Sequence, residues 1–158
     1  MKRYRMVFIL FTLLLSACAP QAAPSDTQAS PAPITITDAL GRQVSLQGVP
    51  QRIVITGKAL VMIVDAVYTF PEAAQRIVGL GNASQGTSNF ISLIDPDYAK
   101  KAVLENEASA EQIAALQPDL VSLKSYLAET VGQPIEAIGL PVIYIDFETP
   151  EQYSRDLA

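Results

Sequence analysis

Histidine and tryptophan are absent from the 158 residues, and cysteine occurs once, at Cys18. Without histidine there is no Ser-His-Asp or Cys-His catalysis, no imidazole-bound zinc and no imidazole general base. The apolar run at residues 6–15 holds only ~10 residues, too few for a permanent membrane-spanning helix. Positive charge is also scarce, with 11 Lys and Arg against 16 Asp and Glu. Three of the basic residues (Lys2, Arg3, Arg5) lie before residue 18, so eight remain against 16 acidic residues, a net charge of −8. Phosphate contacts need clustered Lys and Arg, and this balance argues against a nucleic-acid partner.

What is present at the start is a basic cluster, an apolar run and then small residues, the layout of a secretory signal over residues 1–17. Leu15-Ser16-Ala17-Cys18 follows, and it resembles the bacterial lipobox, in which the thiol receives a diacylglyceryl group. The expectation is lipidation at Cys18 and a body anchored outside the cytoplasmic membrane, on its periplasmic side or outer face. The alternative is a plain signal peptide with a stray cysteine. A lipidated Cys18 leaves no thiol for a disulfide, a metal or a nucleophile. Residues 18–33 are rich in Ala, Pro, Ser and Gln without apolar periodicity, which reads as a disordered tether.

Residues 34–56 organise the rest. Ile34, Ile36, Val44 and Leu46 alternate with polar residues, and Asp38 and Gly41 supply turn chemistry, so a β-hairpin is expected. Arg52-Ile-Val-Ile-Thr56 is instead a continuous apolar run, suited to a strand covered on both faces. Residues 58–70 read as a buried helix ended by Pro71, and residues 76–80 as a second strand. Residues 81–97 form a long polar loop. Ser109-Ala-Glu-Gln112 fits a capping box, opening a helix before Pro118-Asp119. Residues 120–124 and 141–145 read as the third and fourth strands, with a short helix at 134–138 between them. Thr149-Pro-Glu-Gln152 opens a last helix, and its break after about two turns reads as a truncation. The expected class is α/β: one lobe with a mostly parallel, four-stranded sheet flanked by helices, preceded by a hairpin.

Three patterns fail as chemistry. Gly57-Lys58 lacks the earlier glycine of a P-loop, where Arg52 stands, and is followed by Ala59 rather than Ser or Thr. Gly79-Leu-Gly81 lacks the third glycine of a dinucleotide fingerprint. Asp95 and Asp97 flank Pro96 and read as solvated turn carboxylates rather than a metal pair.

Thr37-Asp38-Ala-Leu-Gly41-Arg42-Gln-Val44, Pro50-Gln-Arg52-Ile-Val-Ile, Glu111-Gln-Ile113 through Leu116-Gln-Pro118-Asp119-Leu120-Val121, and Ile138-Gly139-Leu-Pro141-Val142 through Asp146 together resemble the N-terminal lobe of the iron-siderophore/cobalamin class of periplasmic substrate-binding proteins. These serve ABC importers. The resemblance covers residues 34–158. It implies a two-lobe fold with ligand in the cleft, residues 34–149 being the first lobe and 150–158 the start of the interlobe helix, the second lobe lacking. It also implies no enzymatic activity and no cofactor, an ABC permease as partner, and a ferric siderophore, haem, corrinoid or oxyanion as ligand. The cleft belongs at the carboxyl ends of the parallel strands. The candidates there are Thr56, Gly57, Lys58, Asn82, Ser84, Asn89, Lys124, Ser125, Tyr126 and Glu148. No metal-ligand set is expected. Glu111, a first-turn residue that the helix dipole favours, is implied to dock on permease arginines. Two other readings stay open: a lipid-anchored flavodoxin-like enzyme using the loop at 81–89 on a phosphate, and a non-binding scaffold lipoprotein.

Overall fold

The computed structural model describes residues 32–158 except 85, 87 and 107. The expected signal peptide, Cys18 and most of the tether lie outside the described residues.

The chain enters through an antiparallel hairpin, β1 (Ile34–Thr37) and β2 (Gln43–Leu46), with Ile36 opposite Val44 and Ile34 opposite Leu46. Its turn is built as the sequence suggests. The Asp38 carboxylate accepts the N–H groups of Leu40 and Arg42, each at 3.0 Å, and Gly41 takes a φ of 74°. The turn also docks: Ala39 donates its N–H to the Tyr144 carbonyl at 2.8 Å. Arg42 binds Asp38, Glu136 and the Val142 carbonyl, and its guanidinium lies 4.3 Å from the Tyr144 ring centroid.

Five strands, not four, make the main sheet. These are β3 (Ile53–Ile55), β4 (Ile77–Gly81), β5 (Ala102–Leu104), β6 (Leu120–Leu123) and β7 (Val142–Tyr144). All pairings are parallel, in the order β5-β4-β3-β6-β7. The extra strand, β5, is a three-residue edge strand with Val103 facing solvent. Such a strand has no apolar run long enough to stand out in sequence.

The helices are α1 (Val61–Tyr68), α2 (Pro71–Gln75), α3 (Ile91–Ile94), α4 (Ala110–Ala114), α5 (Gln133–Ala137) and α6 (Pro150–Asp156). The helix expected from residue 58 starts at Val61, because Gly57 and Ala59 both hold positive φ. Before α5 the chain already winds as a 3-10 turn at Ser125–Leu127 and a π-helical turn at Ala128–Gly132.

Successive residues of β3 feed opposite faces. Val54 packs with Val121, Leu123, Ile113 and Ile135 under α4 and α5, while Ile55 packs with Leu60, Ile63 and Val64 of the α1 side. The hairpin covers what remains of that second face, setting Leu46 on Leu120 and Ile143. Each fully buried Ile or Val stabilises the fold by about 1.5–3 kcal/mol relative to exposure. Both faces are therefore packed against helices and the hairpin, which turns attention to the strand ends.

Candidate functional site

The carboxyl ends of β3, β4, β6 and β7 carry the residues singled out from sequence. After β3, Thr56 is buried and donates its N–H to the Ser122 carbonyl at 3.2 Å. Gly57 follows at φ 101°, and a Cβ there would stand 2.4 Å from Leu127 Cδ1, so only glycine fits. The turn it makes puts Lys58 on the surface.

After β4, the Asn82 side chain accepts the Ser84 N–H at 2.9 Å, closing an Asx turn. Asn89 donates to the Tyr98 hydroxyl at 2.7 Å, and its carbonyl accepts the Ser92 hydroxyl at 2.7 Å, which fastens the entry to α3. Asn82 and Asn89 thus have local structural work whatever else they touch.

The ends of β6 and β7 interlock. Lys124 is 1% exposed, and its ammonium donates to the Asp146 carbonyl and to the Glu148 carboxylate, which is 53% exposed. Ser125 donates its N–H to Asp146 Oδ1 at 3.1 Å. Asp146 is also paired with Arg155 at 3.0 Å, while Asp156 accepts the N–H groups of Asp146 (2.7 Å) and Phe147 (3.1 Å). These contacts hold Phe147 at φ 56°, a left-handed conformation that is uncommon for a bulky residue. Burial by itself would raise the Asp146 carboxyl, but the bonds from Ser125 and Arg155 hold it below the usual range. Tyr126, next in the chain, stands 60% exposed beside this cluster.

The structure therefore brings Lys124, Ser125 and Glu148 together around Asp146. Lys58 lines a cavity of about 580 Å³ with Ser109, Glu111, Leu127, Thr130 and Pro134. Sequence reasoning missed Thr130 and Leu127, because they sit on helical turns without a cap signal. Glu111 is exposed in the first turn of α4, behind the Ser109–Gln112 capping box. Lys58 and Glu111 thus share one depression.

Asp95 is not the solvated carboxylate expected from its turn. It is 8% exposed, accepts the Tyr68 hydroxyl at 2.6 Å and pairs with buried Lys101 at 3.3 Å. Lys101 also donates to the carbonyls of Ala74 and Ile77, so the pair pins the end of the long loop under β4. Asp97 does face water, with Lys100 at 2.6 Å. Among the described residues no group of three His, Cys, Asp or Glu side chains is placed to hold a metal ion.

No protein-family model matches the chain, and no curated protein matches it in sequence. Solved structures do. A TroA-like periplasmic binding protein, FepB, from Veillonella parvula superposes with a TM-score of 0.63 at 25% identity, over 79% of this chain and 40% of that one. The fold is that of one lobe of a TroA-like periplasmic binding protein. The molybdate periplasmic binding protein MolA of Haemophilus influenzae gives a TM-score of 0.60 at 26% identity, over 78% of this chain and 37% of its own. The petrobactin-binding protein YclQ of Bacillus subtilis shares the fold alone, with a TM-score of 0.60 at 18% identity over 78% and 42%. The chain spans about two fifths of the length of these binding proteins. All three are binding proteins.

Proposed function

We propose that residues 34–158 form the first wall of an extracytoplasmic substrate-binding receptor for an ABC importer, tethered to the membrane through a lipid on Cys18. The ligand class is an iron complex such as a ferric siderophore or haem, or a corrinoid; an oxyanion remains compatible with the same wall. The observation that carries this is the cluster at the ends of β6 and β7. There Glu148 and the Asp146 carbonyl hold a buried cation, Lys124, Ser125 binds the Asp146 carboxylate, and Tyr126 stands exposed next in the chain. Ligands of open α/β sheets lie outside the carboxyl ends of their strands, and this cluster occupies that place. The Veillonella and Haemophilus binding proteins support the reading through fold and role, and the Bacillus structure through the fold alone.

A single wall buries far less of a ligand than the ~70–90% typical of tight pockets, so this chain alone should bind at micromolar strength or weaker. NMR titration of the full chain with a gallium siderophore complex, cobalamin and molybdate tests it. Amide shifts gathered on Ser125, Tyr126 and Glu148 for one of these ligands are the expected result. Shifts that avoid the strand ends for every ligand would refute the assignment. Mass spectrometry of the cell-extracted protein tests the anchor: an unmodified Cys18 would remove it.

A further inference from the structure

Lys124 and Glu148 make an unequal pair. The lysine is 1% exposed and the glutamate 53%, so one partner is locked in the protein while the other reaches it from a solvent-facing turn. A buried ammonium must keep a counter-charge, because stripping it of its partner leaves an uncompensated charge in a poorly solvated place. The exposed carboxylate is under no such constraint. Swung into water, Glu148 recovers its hydration, and the backbone N–H groups of Glu148 and Thr149 remain held by Gln152. The turn therefore survives the departure of that one side chain.

The geometry points to an exchange site: Glu148 is a built-in stand-in for an oxygen-donor anion of the ligand, which takes the Glu148 position on Lys124 when it binds. This rests on the strand-end wall being the ligand-facing one, and it adds the charge class of the group that enters. Carboxylate, hydroxamate, catecholate and tetrahedral oxyanion all offer the required oxygen. The other charges around Lys124 do not compete. Asp146 presents its carbonyl to the ammonium while its carboxylate is engaged by Ser125 and Arg155, and Asp156 is engaged by Arg155 and two backbone N–H groups. Exchange also explains why a cation sits at the wall yet is not exposed: Glu148 keeps it covered until a better anion arrives. Binding is then a competition, and the protein's own carboxylate weakens the affinity.

Thermal melts of the full chain in detergent, in molybdate against sodium chloride of equal ionic strength, test the exchange. Three proteins are compared: the natural chain, Glu148→Gln, and Glu148→Gln combined with Lys124→Met. General salting effects act on all three alike and cancel in the comparison. Glu148→Gln should gain a molybdate-dependent rise in Tm several degrees larger than the natural chain, and the double variant should lose that excess. Glu148→Gln keeps an oxygen acceptor for Lys124 but leaves its charge uncompensated, so the Tm without molybdate should fall. Each protein's rise is therefore read from its own value in sodium chloride. Equal rises in all three proteins would overturn the exchange, as would an excess that survives the loss of Lys124. NMR shifts that still gather on Ser125 and Tyr126 while Glu148→Gln gains nothing would leave the binding wall standing and the exchange wrong. If neither effect appears, the proposed function fails with it.

Discussion

Asp119 holds Arg52 at both ends of its backbone, through its carboxylate and its own N–H. The Arg52 N–H donates to Asp119 Oδ1 at 2.8 Å, and the Asp119 N–H donates to the Arg52 carbonyl at 2.9 Å. The second carboxylate oxygen of Asp119 takes the Gln51 N–H at 2.7 Å. The Arg52 guanidinium meanwhile donates to the carbonyls of Leu116 and Gln117, closing the end of the α4 segment. Two stretches more than sixty residues apart are thereby aligned just where β3 and β6 begin to pair.

Asp119→Ala should therefore destabilise the chain even though the residue is exposed. It removes the acceptor for two backbone N–H groups, each bond being worth about 1 kcal/mol net, with water recovering part of that. Urea denaturation should show a loss of about 1–2 kcal/mol for Asp119→Ala and less for Arg52→Ala. The double variant should lose less than the two single losses together, since both residues serve one junction. Strict additivity would show that the junction is not a unit.

This junction also explains why the lobe was legible in sequence. The four stretches that carry the family resemblance meet in pairs: Arg42 reaches Val142, and Arg52 reaches Gln117 and Asp119. Their polar residues are joints of the fold, so their order and spacing follow the topology. The edge strand β5 was not legible, because three residues with an exposed Val103 give neither alternation nor a long apolar run. The helical path from Ser125 was missed for another reason. It starts as a 3-10 turn and passes through a π-helical turn, and neither has a side-chain cap to announce it. At the site, the sequence marks Lys124 as a cleft candidate at a strand end, but neither its burial nor its partner can be read there. Its burial depends on Glu148, which lies 24 residues further along the chain.

Gly132, inside the π-helical turn, lies against Tyr144. A Cβ at Gly132 would stand 1.8 Å from the tyrosine hydroxyl and 2.7 Å from Cζ, so Gly132→Ala forces the ring or the turn to move. Overpacking of this kind costs about 1–3 kcal/mol. The Tyr144 hydroxyl is buried and has no hydrogen-bond partner among the described residues, so Tyr144→Phe alone should be neutral or stabilising. Combined, Tyr144→Phe should recover part of the Gly132→Ala loss by removing the nearest atom. Thermal melts of the three variants decide this, and a Tyr144→Phe variant that is itself strongly destabilised would contradict it.

Acid should weaken the fold through two carboxylates in particular. Burial pushes both Asp95 and Asp146 up, but Tyr68 and Lys101 around the first, and Ser125 and Arg155 around the second, bring each below the ordinary value of about 3.9. The folded state thus favours the ionised form. The resulting stability is complete above the unfolded-state value and is lost as pH falls through the lower folded one. Unfolding free energy measured between about pH 7 and pH 2 should drop more gently in Asp146→Asn than in the natural chain. Parallel acid limbs would show that Asp146 contributes nothing there.

Glu111 carries the proposed contact with the transporter. The Ser109 side chain, and then its own backbone N–H at the helix start, hold its carboxyl below the usual range, so it is ionised at neutral pH. It points outward from the first turn of α4, and that helix keeps its Ser109–Gln112 capping box without it. Glu111→Ala should therefore leave folding intact, as judged by an unchanged Tm. A carboxylate that pairs with a guanidinium is geometrically selective, which suits registering a receptor on a permease. In a receptor carrying this lobe, Glu111→Ala should leave NMR ligand shifts at Ser125 and Tyr126 unchanged and reduce co-purification with the permease. Added salt should weaken the natural complex in the same way, because an exposed pair is screened over a Debye length of about 8–10 Å. Glu111 also borders the cavity that Lys58 lines, so the opposite outcome is concrete. Loss of ligand shifts with permease capture retained would place Glu111 in the binding site and take it off the docking surface.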